Sequence, residues 1–251
     1  MNKFLCALSA ELLKVKRTLA FWLTLLAPLP VALMLLMIFL QQGEQIGYRD
    51  NRWYSLSQNS LVVWGLLMLP LFVTLETGLL SALEHNNKTW KQLYALPLPQ
   101  WTIYAAKQFV SMGLIGLSMI FLLAMMVGVG LLLNRFRPTL GFAAHIPWPT
   151  IIQAYLLTYL ASWLIISLHL WVSAHWPSFV VAMGAGIVTT VAGVLVIESD
   201  WAGVYPWTLP GLVAINFMKG DAVMTELALG TVGGIVAALA AGWEVTRRDV
   251  L

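Results

Sequence analysis

Charge is what this chain has least of. Asp, Glu, Lys and Arg make up 10% of its 251 residues, against 60% apolar side chains. Soluble domains carry about 25% charged residues. So few charges cannot cover a surface facing water, and the solvent of this chain is therefore mostly lipid. The formal charge of +3 is dispersed in short segments between apolar runs, a pattern of membrane topology that excludes a nucleic-acid partner. A single cysteine, Cys6, rules out an intrachain disulfide and a cysteine metal cage. It lies in an apolar stretch and reads as a packing residue. No Gly-Lys dipeptide occurs, so there is no P-loop and no ATP hydrolysis by this chain. Neither His-Glu-x-x-His nor Gly-x-Ser-x-Gly occurs. The four histidines, His85, His145, His169 and His175, lack ligand spacing. No catalytic residue, metal site or cofactor is assigned. The short apolar run after Lys3 imitates a signal peptide, but its length and single basic residue argue against cleavage.

What the chain has is long apolar runs. A helix needs about 20 mostly apolar residues to cross roughly 30 Å of hydrocarbon. Six runs qualify: 18–40, 61–83, 108–133, 150–172, 179–197 and 226–243. They are continuous rather than alternating, so the fold class is all-α, a polytopic membrane protein with six transmembrane helices. With the N-terminus placed inside, the inner segments hold Lys3, Lys14, Lys16, Arg17, Lys88, Lys91, Lys107, Arg247 and Arg248. The outer segments hold Arg49, Arg52, Arg135, Arg137 and Lys219. The bias follows the positive-inside rule and puts both termini in the cytoplasm. Trp53, Trp64, Trp148, Trp176, Trp201, Trp207 and Trp243 fall near span ends as interfacial anchors.

Residues 1–17 form a unit ahead of the six-span domain, 18–251. Phe4, Leu8, Leu12 and Val15 recur at helical spacing, with Lys3, Glu11, Lys14 and Arg17 on other faces. That is an amphipathic helix on the inner leaflet; a plain basic flank for the first span is the alternative. Between spans four and five, Pro177 predicts a break. The outer segment 198–225 is rich in aromatics and proline and apolar for a loop, so it either dips back and shields an outer exit or merely connects.

Four features carry candidate chemistry. Glu76 lies seven residues from Leu83, about 10 Å into the second span. A charge at that depth faces cargo, another helix or a cavity, which makes Glu76 a transport-pathway candidate. His169 is the one histidine inside a span; a hydrogen bond to a neighbouring helix accounts for it as well as a proton relay does. Glu226 opens the last span, where a carboxylate suits a helix N-terminus. Gly230, Gly234, Ala238 and Gly242 put small residues on one face of that span, a stripe for close packing within the subunit or against a second copy.

The most informative stretch joins spans two and three. It reads Glu84-His85-Asn86-Asn87-Lys88-Thr89-Trp90-Lys91-Gln92-Leu93-Tyr94-Ala95-Leu96-Pro97, followed by Tyr104-Ala105-Ala106-Lys107. Residues 84–96 read as a short helix with Trp90, Leu93 and Tyr94 on one side, ended by Leu96-Pro97. A short helix joined to two spans is a lever for rigid-body motion. This stretch resembles the loop after span two in ABC transporter permeases of the type-2 exporter family. The Asn-Asn-Lys-Thr-Trp-Lys and Leu-Pro-Leu-Pro version looks most like the lantibiotic-immunity permeases. Glu11-x-x-Lys14 with Lys16-Arg17 before span one, and Arg247-Arg248-Asp249 at the end, agree. The resemblance implies that Glu84, Asn87, Lys88, Thr89, Trp90, Lys91, Leu93 and Tyr94 couple the chain to a separate ABC ATPase subunit, in two copies. ATP and Mg would sit on that partner. It further implies a second six-span permease, same or homologous, a bacterial inner membrane, and an amphipathic cargo such as a lantibiotic or other antimicrobial peptide. Lipid, polysaccharide or small-drug export on the same architecture, or a non-transporting scaffold or intramembrane enzyme, are the rival readings.

Overall fold

Leucine-rich runs of this length have nowhere to satisfy their backbone except within a helix when water is absent. The computed structural model is accordingly helical throughout its spans, and it describes residues 3–16, 18–47, 51–86, 99–176 and 178–247. Helix α1 (Lys3–Val15) precedes a first span made of α2 (Leu19–Leu26) and α3 (Leu29–Gln42). The second span joins α4 (Arg52–Val63) to α5 (Leu69–Asn86) through a π-turn, Trp64–Met68. The third is α6 (Gln100–Phe136). The fourth is α7 (Trp148–Ala161) and α8 (Trp163–His175), hinged at Ser162, and the fifth is α9 (Phe179–Val196). A short helix, α10 (Leu209–Lys219), comes before the sixth span, α11 (Met224–Arg247).

All six expected crossings are present, and two begin earlier than hydropathy places them. The second starts at Arg52 and the third at Gln100. The reason is burial. Arg52, Ser55, Ser57 and Ser60 all point into protein, so their polarity never meets lipid. The second span is 61% buried over its most apolar window and the sixth only 17%, so one is core and the other is periphery. The main core gathers Phe39, Trp53, Leu56, Trp64, Ile115, Leu122, Tyr155 and Ile166 from the first four spans.

Several expectations are corrected at the level of single residues. Trp53 and Trp64 are fully buried rather than interfacial. Trp53 packs edge-on against Phe142 at 5.4 Å, and its ring fills the space a side chain at Gly130 would need. Trp148, Trp176, Trp201 and Trp243 are exposed, as anchors should be. Arg52 is a buried strut: its Nε donates to the Leu140 carbonyl at 2.9 Å and its guanidinium also donates to the Ile46 carbonyl. On α1 the packed stripe is Ala7, Glu11 and Val15, while Leu12 is half exposed. Glu11 pairs with Lys14 one turn on, and Phe4 meets Phe109 of α6 at 5.6 Å.

The segment between spans five and six folds back into the bundle. Leu209, Pro210, Gly211, Val213 and Ala214 of α10 are buried. A side chain at Gly211 would collide with Leu66 at 2.1 Å, so α10 lies directly on the π-turn. Its end is a left-handed Gly220, φ 88°, after which the chain turns into α11.

Candidate functional site

Glu76 of α5 and His169 of α8 are both buried in mid-span, and they lie toward opposite faces of α5. Thr74 and Glu76 are two residues apart, hence separated by about 160° around the helix axis. The Thr74 face looks toward spans four and five, and the Glu76 face toward spans one and three.

On the first face, His169 of α8 is the hub. Its Nε2 accepts a hydrogen bond from Trp207 Nε1 at 3.0 Å and lies 3.3 Å from Thr74 Oγ1. Thr74 gives its one hydroxyl proton to the Pro70 carbonyl at 2.8 Å. Trp207 stacks edge-on against the imidazole with ring centroids 5.5 Å apart. Trp207 comes from the segment between spans five and six, so the imidazole ties that segment to the bundle interior. Its neighbour Tyr205 donates to the Thr189 carbonyl of α9 at 2.9 Å, and partial burial pushes its phenol above the usual range. The seam continues down α8: Ser173 Oγ reaches Thr77 Oγ1 at 3.4 Å, and Ser167 Oγ donates to the Gly234 carbonyl at 2.9 Å while accepting from Gln108 Nε2 at 3.0 Å. Gly186 makes the closeness of spans two and five possible, since a side chain there would strike Thr74 at 2.2 Å.

On the second face, Glu76 is fully buried and neither carboxylate oxygen has a hydrogen-bond partner among the described residues. Leu80, one turn along, packs with Ala20 of α2 and with Val110 and Leu114 of α6. The carboxylate is thus held away from solvent, an environment where an unpaired polar group costs several kcal/mol, on the order of 2–7.

The small-residue stripe of α11 divides in two. Gly230 and Gly234 press on span four at its Ser162 hinge, where added side chains would meet Ala161 and Trp163 backbone at 2.5 and 2.6 Å. That half packs within the subunit. Ala238 and Gly242 are looser; a side chain at Gly242 would stand 3.5 Å from Tyr104. At the same end of the bundle, Trp171 donates to Glu244 Oε2 at 2.6 Å and His175 lies 3.6 Å from Glu244 Oε1. Glu226 accepts from Asn216 of α10 at 3.3 Å.

Of the coupling residues expected from sequence, Glu84 belongs to α5 in its backbone, and Asn87, Lys88, Thr89, Trp90, Lys91, Leu93 and Tyr94 lie outside the described residues. The structure adds Thr74, Gln108, Ser167 and Trp207 to the polar set. A signal for the first three was present: isolated polar residues in otherwise apolar runs. Trp207 had none, because its partner is 38 residues away.

Residues 7–193 match the family described as ABC-2 family transporter protein. No curated protein and no solved structure matches the chain.

Proposed function

The chain belongs to the ABC-2 transporter family, and from that premise we propose that it is the permease subunit of an ATP-driven exporter that removes an amphipathic peptide, of the lantibiotic type, from a bacterial inner membrane. The family itself supplies the coarser part: a membrane component of an ABC transporter that works with a separate ATPase. Residues 84–96 are the docking lever, with Lys88, Trp90, Lys91 and Tyr94 meeting the ATPase, both termini in the cytoplasm, and a second six-span permease completing the pathway. Two copies of the ATPase bind ATP and Mg.

The observation that carries the cargo reading is the combination of sparse charge with an acid, Glu76, enclosed within a span. A pathway poor in charge suits an amphipath better than a sugar or an ion, and Glu76 supplies a counter-charge for a cationic peptide once the surrounding spans separate. That separation is the rigid-body response expected of a lever joined to spans two and three.

The test is direct. The tagged chain, extracted from its native membrane, is expected to bring down a soluble P-loop protein, and Lys88→Glu with Lys91→Glu is expected to release it. In vesicles, ATP hydrolysis by that complex is expected to rise with a cationic amphipathic peptide more than with a phospholipid or a small apolar drug. Labelling of Lys88 and Lys91 from outside intact cells would overturn the topology. Stimulation by lipid or drug alone would replace the cargo.

A further inference from the structure

A groove of about 570 Å³ lies between the start of span three and the end of span six. Ala105 and Phe109 of α6 line one wall; Ala238, Leu239 and Gly242 of α11 line the other. The small side chains among them leave the space. Phe109 and Leu239 are more than half exposed, so the groove opens sideways toward lipid. Tyr104 Oη, Gln108 Oε1 and Trp163 Nε1 are enclosed by protein, so these three wall residues offer an occupant carbon rather than polar atoms. The volume is that of a small-ligand site, and the lining suits hydrocarbon.

The two ends of the groove differ. Met112 and Ile235 line one end, inside the apolar runs of spans three and six. Trp101 and Thr246 line the other, where α6 begins and α11 finishes. Eleven residues separate Trp101 from Met112, about 16 Å along the helix. At the Trp101 end the exposed Trp243 also lines the groove, and the guanidinium carbon of Arg247 stands 3.8 Å over its ring. Arg247 is itself exposed and has no carboxylate partner among the described residues. Glu244, one turn back, accepts from Trp171 and lies 3.6 Å from His175. A guanidinium laid on an indole face keeps its N–H edge for an anion, and its fork matches a phosphate.

Hydrocarbon along the walls and a cation at one end describe the complement of an amphiphile with an anionic head. A cationic amphipath would bring like charge to Arg247. We infer that the groove holds a resident anionic phospholipid, one acyl chain lodged between α6 and α11 and its phosphate on Arg247 beside Trp243. This lipid is a fixed part of the subunit rather than cargo, and the site does not depend on the export reading above. The stripe of small residues thus has two uses, close contact at Gly230 and Gly234 and room for an acyl chain at Ala238 and Gly242.

Native mass spectrometry of the full chain, titrated with phosphatidylglycerol or with phosphatidylcholine of the same acyl chains, tests this. The first equivalent of phosphatidylglycerol is expected to bind about fivefold more tightly, which is about 1 kcal/mol for one basic contact. Arg247→Gln is expected to abolish the difference. Arg135→Gln, exposed at the opposite end of α6, is expected to keep it. Phosphatidylglycerol carrying a diazirine in its acyl chain is expected to label the groove residues of α6 and α11. Equal binding of the two lipids to the unmodified chain, a preference that survives Arg247→Gln, or labelling confined to other spans overturns the site. A disulfide between two copies bearing Leu239→Cys, in a Cys6→Ser background, would put a second copy in the groove and overturn the lipid. So would label that a cationic amphipathic peptide displaces and unlabelled phosphatidylglycerol does not.

Discussion

Glu76 and His169 are both buried to 2% or less in mid-span, and they differ in that only His169 is tied to another segment by a hydrogen bond. His169 Nε2 takes a tryptophan N–H from the segment between spans five and six, while its Nδ1 has no partner among the described residues. Glu76, on the other face of span two, has no hydrogen-bond partner for either oxygen among the described residues. A polar group that is matched serves to hold parts together. A polar group that is unmatched weakens the fold and is retained only where something else depends on it. The Thr74 face of span two is thus a fastening, and the Glu76 face is where a change of state would be felt.

Four changes break or sharpen this contrast. Gly186→Leu drives a side chain into Thr74 and separates spans two and five; it is expected to cost about 3 kcal/mol, seen as loss of folded protein after extraction. Glu76→Gln keeps shape and removes charge. Export by the reconstituted complex is expected to fall about tenfold, or about 1.4 kcal/mol, with insertion and ATPase binding intact, whereas unchanged export would reduce Glu76 to packing. His169→Leu leaves the Trp207 N–H buried without an acceptor, and is expected to lower stability by about 1–3 kcal/mol, measured as a lower thermal midpoint and faster proteolysis of segment 198–208. Trp207→Phe deletes the donor with most of the ring retained, so its cost is expected to be smaller, about 0.5–1.5 kcal/mol in the same assay.

Much of this architecture was legible because lipid imposes a simple rule on length and polarity. Runs near Leu19–Gln42 or Phe179–Val196 satisfy it by composition alone. The rule fails where a helix turns its polar side to protein, as from Arg52 to Ser60, and where it is too short to span, as in α10. It also fails to tell an interfacial tryptophan from a core one: Trp53 and Trp243 both stand near helix ends, and only the position of Gly130 and Phe142 makes the first a core residue. Glu76 was legible as an exception to its surroundings. The face it occupies was not, because azimuth around a helix depends on every residue between it and the last fixed point.

That dependence gives the π-turn at Trp64–Met68 its importance. A widened turn accommodates one residue more than a regular helix would, which rotates everything after it by about 100° relative to everything before it. Arg52 to Ser60 and Thr74 to Glu76 are therefore indexed separately to their neighbours, and α10, seated on the turn through Gly65 and Gly211, touches the helix at its point of phase slip. Were the turn to tighten to a regular coil, the threonine and the acid would swing about 100° around the axis together, and neither would keep the neighbours it has now.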